Sequence, residues 1–290
     1  MEDSQQEWKA LQEQVDRKIE ERNNTPRPDF EDLSPNAMSH LLYQPFQEGS
    51  PVRYRDAEAN DVIKQLPFFE LFRIYLEHID KAGELKLTAR GNLPRKLVRE
   101  LYATKLIPEE AIESGIVKLN KEADSIVIQN LKLIGDLSGI TKKRNNKLSL
   151  TKKGENWYHA EKQFELFKQI FETNILKFNL GYHDGYPQEG GVQQVLPYTL
   201  YLLLKFGGEL RTATFYGEKV LTAFPHLLRS FGTGWSPPED QFQRCYRIRT
   251  HERCLAYYGF VEVRGEMLSD NFQLRTTELL WKVFELKTTG

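Results

Sequence analysis

The first hydrophobic pattern lies near the beginning of the chain. Residues 2–23 contain neither Gly nor Pro, and Trp8, Leu11, Val15 and Ile19 follow one another at steps of three and four residues. This spacing places the apolar side chains on one stripe of a helix, and the other faces are densely charged. We expect an amphipathic helix that docks on its own domain, on another protein or on a second copy of itself.

A second pattern covers the middle of the chain. Residues 61–81 have helical periodicity up to Gly83, residues 84–88 alternate, and residues 95–105 follow a Gly-Asn-Leu-Pro turn as another helix. A third helix is predicted over 124–138, and residues 140–151 read as two strands around a basic Asn-Asn turn. This order of helix, short strand, helix, helix and hairpin is that of a winged helix, whose third helix usually reads DNA.

The same order recurs near the C-terminal end. Leu196-Pro197 opens a helix as Leu66-Pro67 does, and Gly208-Glu209 repeats Gly83-Glu84. Leu274 and Trp281 match Leu150 and Trp157 at a common offset. Since the matches occur in the same sequence order, they favour a second, divergent copy of the unit.

We therefore predict a mainly α chain with small β-hairpins, an α+β protein with tandem winged-helix-like domains. The predicted segments are an N-terminal helix with an extended stretch (1–58), a first winged-helix-like domain (59–160), a connecting helix and Gly-rich hinge (161–191) and a second winged-helix-like domain (192–290). Within the third segment the helix is predicted over Lys162 to Asn179 and the hinge over Gly181 to Gly191.

Composition narrows the possible partners. The 290 residues carry a formal net charge of −1, so nucleic acid would be attracted by local patches rather than by the whole chain. Neither a membrane-spanning stretch nor a secretory signal is visible, and we expect a cytoplasmic protein. Cys245 and Cys254 lie nine positions apart in a predicted helix, which disfavours a local disulfide and offers no metal-binding Cys pair.

Two stretches are similar to segments of known proteins. They run from Asp29 to Leu42, including Phe-Glu-Asp-Leu-Ser-Pro-Asn-Ala-Met, and from Leu87 to Val98, including Leu-Thr-Ala-Arg-Gly-Asn-Leu-Pro. The stretches resemble a group of uncharacterised bacterial proteins, some of which carry an SEC-C metal-binding tail or a domain first described from a plasmid open reading frame. The resemblance implies a bacterial protein linked to mobile elements or host defence. The Cys-rich tail is lacking here, so no zinc site is carried over.

The hairpin of the first unit carries the best local argument for nucleic acid. Residues 141–153 contain six cations and no acidic residue, among them Lys142, Lys143, Arg144 and Lys147. A basic hairpin suits phosphates along a nucleic-acid backbone. The alternative is a solvated hairpin whose lysines protect a sheet edge. The preceding helix offers Ser125, Gln129, Lys132 and Asp136 on its polar face, a poor set for reading bases.

In the second unit the predicted third helix, residues 241–258, is rich in Arg. On a helical wheel Arg244, Arg247 and His251 share a face, whereas Arg249 and Arg253 lie almost opposite. The first group could face a nucleic-acid groove, and the other would pair with acids or pack on aromatic rings.

Motifs for an enzyme are absent from the sequence. The six histidines show no metal-ligand spacing, and neither a phosphate-binding loop nor a nucleophile elbow occurs. Tyr182-His183-Asp184-Gly185 reads as a turn. We expect no catalytic residue, no metal and no cofactor. The favoured function is DNA binding through Lys142–Lys147 and the Arg244–Arg253 helix; the alternatives are a protein-interaction module and an unrecognised enzyme.

Overall fold

A computed structural model describes residues 2–55, 59–160, 162–186, 190–232, 236–265 and 272–287. Over these residues the chain is mainly helical with small antiparallel sheets, as the sequence predicted. The α-helices in the first half are α1 (Glu2–Asn24), α2 (Pro35–Tyr43), α3 (Ala59–Ile63), α4 (Pro67–Ala82), α5 (Arg95–Ala103), α6 (Glu110–Glu113), α7 (Ile126–Leu137) and α8 (Lys152–His159). Those in the second half are α9 (Gln163–Glu172), α10 (Gly190–Gln194), α11 (Leu196–Phe206), α12 (Ala213–Ala223), α13 (Pro238–Tyr246) and α14 (Glu278–Val283).

The described strands form three small sheets. Their bounds are β1 (Val52–Tyr54), β2 (Leu85–Lys86), β3 (Thr141–Arg144), β4 (Lys147–Leu150), β5 (Arg211–Thr212), β6 (Val261–Arg264), β7 (Gln273–Thr276) and β8 (Phe284–Leu286). One sheet has the order β2-β4-β3 and another β5-β7-β6, and all their pairs are antiparallel. The third pairs β1 with β8 and so joins the two ends of the chain.

Two stretches of the chain share one order of elements. The first is α4-β2-α5-α7-β3-β4, and the second is α11-β5-α12-α13-β6-β7. In each, the short strand after the first helix pairs with the second strand of the hairpin. Where the first stretch has the short helix α6, the second has a 3-10 helix, Pro225–Ser230.

Local signals explain the elements of the first stretch. The Ser125 side chain caps α7 by accepting from the Ile128 amide, and Gly139 (φ 72°) ends the turn that follows the helix. Asn145 and Asn146 both have positive φ, 49° and 57°, as a tight two-residue hairpin turn requires. The predicted third helix and the hairpin with its Asn-Asn turn are confirmed.

The Arg-rich helix differs from its prediction in its winding. Helix α13 continues from Arg247 to Leu255 as a π-helix, and a turn then leads to Gly259 (φ 70°). Helix α9 likewise continues as a π-helix over Thr173–Lys177. A π-helix has more residues per turn than an α-helix, so a wheel drawn for an α-helix assigns the wrong faces beyond Arg247.

The buried apolar residues belong to one cluster that draws on all four predicted segments. Phe171 illustrates this, because its ring contacts those of Phe46, Tyr258 and Phe284. The Phe68 amide also donates to the Tyr257 carbonyl at 2.9 Å, which ties α4 to the segment before Gly259.

The amphipathic helix predicted over residues 2–23 is confirmed as α1. Its apolar stripe does not dock on the rest of the described chain. Trp8, Leu11, Val15 and Ile19 are 72, 52, 46 and 51% exposed, so the body of the protein leaves the stripe uncovered. The helix is joined to α2 at its end, where the Asn36 amide donates to Asn24 Oδ1.

Candidate nucleic-acid interface

The hairpin of β3 and β4 presents its cations to solvent. Lys142, Lys143 and Arg144 are exposed, and no carboxylate of the described residues lies within ion-pair distance of them. Lys147 is also exposed, but it pairs with Glu84 beside β2. The Lys147 ammonium, with Arg144 and Lys142 nearby, holds the pKa of the Glu84 carboxyl below its usual range. Lys147 is therefore paired with an acid, whereas the other three cations form no ion pair with a described carboxylate.

The turn of the hairpin is fixed to the loop that follows β2. The Asn146 side-chain amide donates to the Thr88 carbonyl at 2.8 Å and to the Leu87 carbonyl at 3.2 Å. The Leu87 amide donates in return to the Asn146 carbonyl at 3.0 Å. These bonds hold the basic hairpin against residues 88–93.

Gly91 of this loop lies beside Lys143 of the hairpin. Its φ is 77°, and a β-carbon there would collide with the Lys143 ammonium. Glycine is suited to this position because it adopts positive φ without strain and lets the cation approach the backbone.

A buried ion pair holds the same loop from inside. Lys132 Nζ lies 3.0 Å from Glu122 Oε1 and donates to the Gly91 carbonyl at 2.7 Å. The second Glu122 oxygen accepts from the Leu93 amide at 2.6 Å. Lys132, expected on the polar face of the third helix, is thus nearly buried, and much of α7 is packed in the core.

Further cations, which were not among the predicted site residues, surround this loop. Arg90, Arg95 and Lys121 line a pocket of about 280 Å³ together with Asn92 and Asn120. Arg95 donates to the Asn120 side chain, and Arg99 lies one turn further along α5. All four cations are exposed, and none forms an ion pair within the described part of the chain.

Three of these four lie within residues 90–99, and Lys121 lies in a separate segment of the sequence. A signal did exist, since residues 90–99 contain four cations and no acid.

The Arg-rich helix does not supply the expected basic face. Arg244 is exposed, and its guanidinium donates to Ser236 Oγ at 2.7 Å. Arg247 is buried, with its Nε 3.1 Å from a Glu252 oxygen and its guanidinium 4.9 Å from the centre of the Phe272 ring. The Arg247 side chain thus packs on an aromatic ring and pairs with an acid. The sequence predicted this arrangement for Arg249 and Arg253, on the opposite face of the helix.

The prediction that His251 contacts nucleic acid is wrong, because the side chain is fully buried. Its ring lies beside those of Tyr216 and Tyr246, and neither ring nitrogen has a hydrogen-bond partner among the described residues. Burial lowers the pKa of His251 to about 3, so the side chain is neutral and out of reach of a phosphate. The physical reason is the π-helical winding, which turns this position inwards.

Arg249 also points into the molecule. Its Nε donates to Asp184 Oδ2 at 2.6 Å, and its Nη2 donates to the Tyr186 carbonyl at 2.6 Å. Both ion-pair side chains are almost fully buried. Asp184, in the predicted turn, thus fastens the beginning of the hinge to the π-helix; residues 187–189 of the hinge lie outside the described residues.

The second hairpin contrasts with the first. Arg264 of β6 and Arg275 of β7 both pair with Glu262, at 3.2 and 2.7 Å. The cations of its described strands are therefore neutralised by an acid on the same sheet.

Comparisons with family models, curated proteins and solved structures give no match for this chain. Within the described ranges, no group of three His, Cys, Asp or Glu side chains is arranged to hold a metal ion. In the same ranges no helix has the length and apolar character needed to span a membrane.

Proposed function

We propose that this is a cytoplasmic tandem winged-helix protein that binds nucleic acid, preferentially duplex DNA. The ligand would bind to the basic surface, defined here as the side chains of Arg90, Arg95, Arg99, Lys121, Lys142, Lys143 and Arg144. The winged-helix assignment is supported by the shared order of helix, strand, two further helices and hairpin, with the short strand beside the second hairpin strand.

One observation carries the proposal: these seven cations are exposed and form no ion pair with a described carboxylate, and Lys143, Arg90, Arg95 and Lys121 lie around one loop beside the hairpin. Lys143 lies over Gly91, next to Arg90, and Arg90 shares a pocket with Arg95 and Lys121. Cations that are not neutralised within the protein can release counterions from a phosphate backbone. The basic hairpin and the loop would thus form one surface.

The contacts we propose are to phosphates rather than to bases. Helix α7, the usual reader in this topology, is largely buried, and Lys132 is engaged by Glu122. Arg247 and His251 of the other third helix are buried as well. Phosphate contacts position a protein on a duplex without carrying sequence information. We therefore expect modest affinity, little sequence preference and strong dependence on salt.

The test compares the two hairpins. In fluorescence anisotropy with a labelled duplex at about 50 mM salt, we expect Lys142→Ala/Lys143→Ala/Arg144→Ala to raise the Kd at least about 10-fold. The matched control, Arg264→Ala/Arg275→Ala, removes cations that are already paired with Glu262 and should change the Kd less than about 2-fold. Equal effects of the two variants, or no binding by the unmodified protein, would contradict the proposal.

One observation favours the second candidate, a protein-interaction module without nucleic-acid binding. It is the exposed stripe of Trp8, Leu11, Val15 and Ile19 on α1. A protein that fails to bind DNA at low salt but still associates through this stripe would support that candidate instead.

A further inference from the structure

Helix α1 contacts α2 at its C-terminal end, and the rest of the helix extends from the body of the protein. Every residue from Trp8 to Arg22 is exposed, on all faces of the helix. The helix has 23 residues, which corresponds to a length of about 35 Å. Its stripe of four apolar residues therefore contacts solvent over almost its whole length.

Such a helix is poorly stabilised as a free element. Most helical stability in proteins comes from packing of an apolar face, and isolated helices are marginal in water even when they are rich in Ala. The sequence of α1 contains a single Ala, at position 10. A surface that covers the stripe would stabilise the helix and remove the apolar side chains from water.

We propose that the stripe is covered by α1 of a second copy of this chain, packed antiparallel. The apolar positions fit this arrangement because they are nearly symmetric about the middle of the stripe. Trp8 would lie opposite Ile19 of the second copy, and Leu11 opposite Val15 of the second copy. Trp8, the largest side chain of the stripe, thus meets the medium-sized Ile19 at both ends of the contact.

The charges beside the stripe favour the same partner and direction. Lys9 and Asp16 are seven residues apart and so lie on the same flank of the stripe. Both are exposed, and neither forms an ion pair with another described residue. In the antiparallel pair, Asp16 of the second copy lies one to two residues from the position directly opposite Lys9, within reach of the long Lys9 side chain, and symmetry forms this contact twice. Facing charges of this kind set the orientation of paired helices.

The first experiment measures self-association of the full chain by sedimentation equilibrium over about 1 to 300 µM. We expect a monomer–dimer equilibrium, and Leu11→Asp should raise its Kd about 100-fold or more, since the dimer buries this position twice. The matched control is Ala10→Asp, which introduces the same side chain on the opposite face and should change the Kd less than about 3-fold. A monomer throughout, or a dimer that Leu11→Asp leaves intact, would overturn the proposal.

The second experiment tests the direction of pairing. Lys9→Glu and Asp16→Lys should each weaken the dimer, and the double variant should restore it, because the charges again face each other. In a disulfide test, Trp8→Cys/Ile19→Cys should form a covalent dimer under mild oxidation, while Trp8→Cys alone should not. The two native cysteines are buried and do not compete. Ready cross-linking of Trp8→Cys alone, or no rescue in the double charge variant, would contradict the antiparallel arrangement.

Discussion

Lys132 shows how a single buried charge can organise an exposed surface. Its ammonium bonds the Glu122 carboxylate and the Gly91 carbonyl, and Glu122 accepts from the Leu93 amide. Both ends of the loop around Asn92 are thereby held from inside. The cations on the outside of this loop depend on that arrangement for their position.

Lys132→Met keeps most of the side-chain volume but leaves the Glu122 carboxylate buried without its cation. Breaking a buried ion pair in this way costs about 3–5 kcal/mol. We expect a fall of that size in the free energy of unfolding, measured by urea denaturation at pH 7. Lys121→Met, at an exposed position nearby, should change it by less than about 0.5 kcal/mol. A loss below about 1 kcal/mol for Lys132→Met would show that the pair does not hold the loop.

His251 makes the stability of the protein depend on pH. In the folded protein its pKa is lowered from 6.5 to about 3 by burial, so below pH 6.5 only the unfolded chain binds the proton. Stability contributed by the neutral ring is complete above pH 6.5 and is lost progressively as the pH falls towards 3.

The corresponding measurement compares the protein with His251→Phe by urea denaturation at pH 7 and pH 4.5. Since each pH unit is worth about 1.4 kcal/mol, the unmodified protein should lose between about 2 and 3 kcal/mol more than the variant. His226→Phe, at an exposed position, should behave like the unmodified protein. Parallel losses in the protein and in His251→Phe would contradict the burial of a neutral ring.

The residues of the site were predictable only where they are close in sequence and where the local conformation is regular. Lys142, Lys143 and Arg144 are consecutive, and alternation with an Asn-Asn turn identifies their hairpin. His251 was misassigned because sequence periodicity does not indicate where an α-helix widens into a π-helix. Arg247 was misassigned because its contacts with Glu252 and Phe272 depend on the tertiary structure. The ion pair between Lys132 and Glu122 could not be predicted from the sequence, because it depends on how the loop folds back.

At the scale of elements, the turns after α7 and after the π-helix end on corresponding glycines, Gly139 and Gly259. Both have positive φ, but their surroundings differ. A β-carbon on Gly139 would meet no atom within 4 Å, whereas one on Gly259 would lie 3.1 Å from Pro67 Cδ.

Substitution of these two glycines separates backbone strain from packing. Gly139→Ala should lower the free energy of unfolding by about 1 kcal/mol, the cost of a left-handed conformation for a residue with a β-carbon. Gly259→Ala should cost about 1 kcal/mol more, because Pro67 must also move. Thermal or urea unfolding of the two variants gives the comparison, and equal losses would contradict the close approach of Pro67.

The elements themselves were largely predictable, and some of their pairings were not. Helix caps, terminal glycines and hairpin turns are local signals, and they identified α7 and the strands β3 and β4. Strands β1 and β8 are three residues each and lie near opposite ends of the chain. Short strands with so distant a partner leave no periodic signal, so the sequence reading had no basis for pairing them.

At the scale of the whole molecule, the aromatic cluster around Phe171 and the β1–β8 pair link the beginning, middle and end of the chain. Much of α7 and of the π-helix is buried in the core. What remains for the proposed anionic ligand is the basic surface around the first hairpin and the loop beside it. The proposed function therefore depends on charge at that surface and not on the net charge of −1.

The most direct test is the salt dependence of DNA binding by the unmodified full chain. Anisotropy titrations of a random-sequence duplex at several salt concentrations between about 20 and 200 mM give the slope of log K against log salt. If five to seven cations of the basic surface contact phosphates, the slope should lie between about −4.5 and −6.3. Absence of binding at the lowest salt concentration, or an affinity that does not change with salt, would contradict the account.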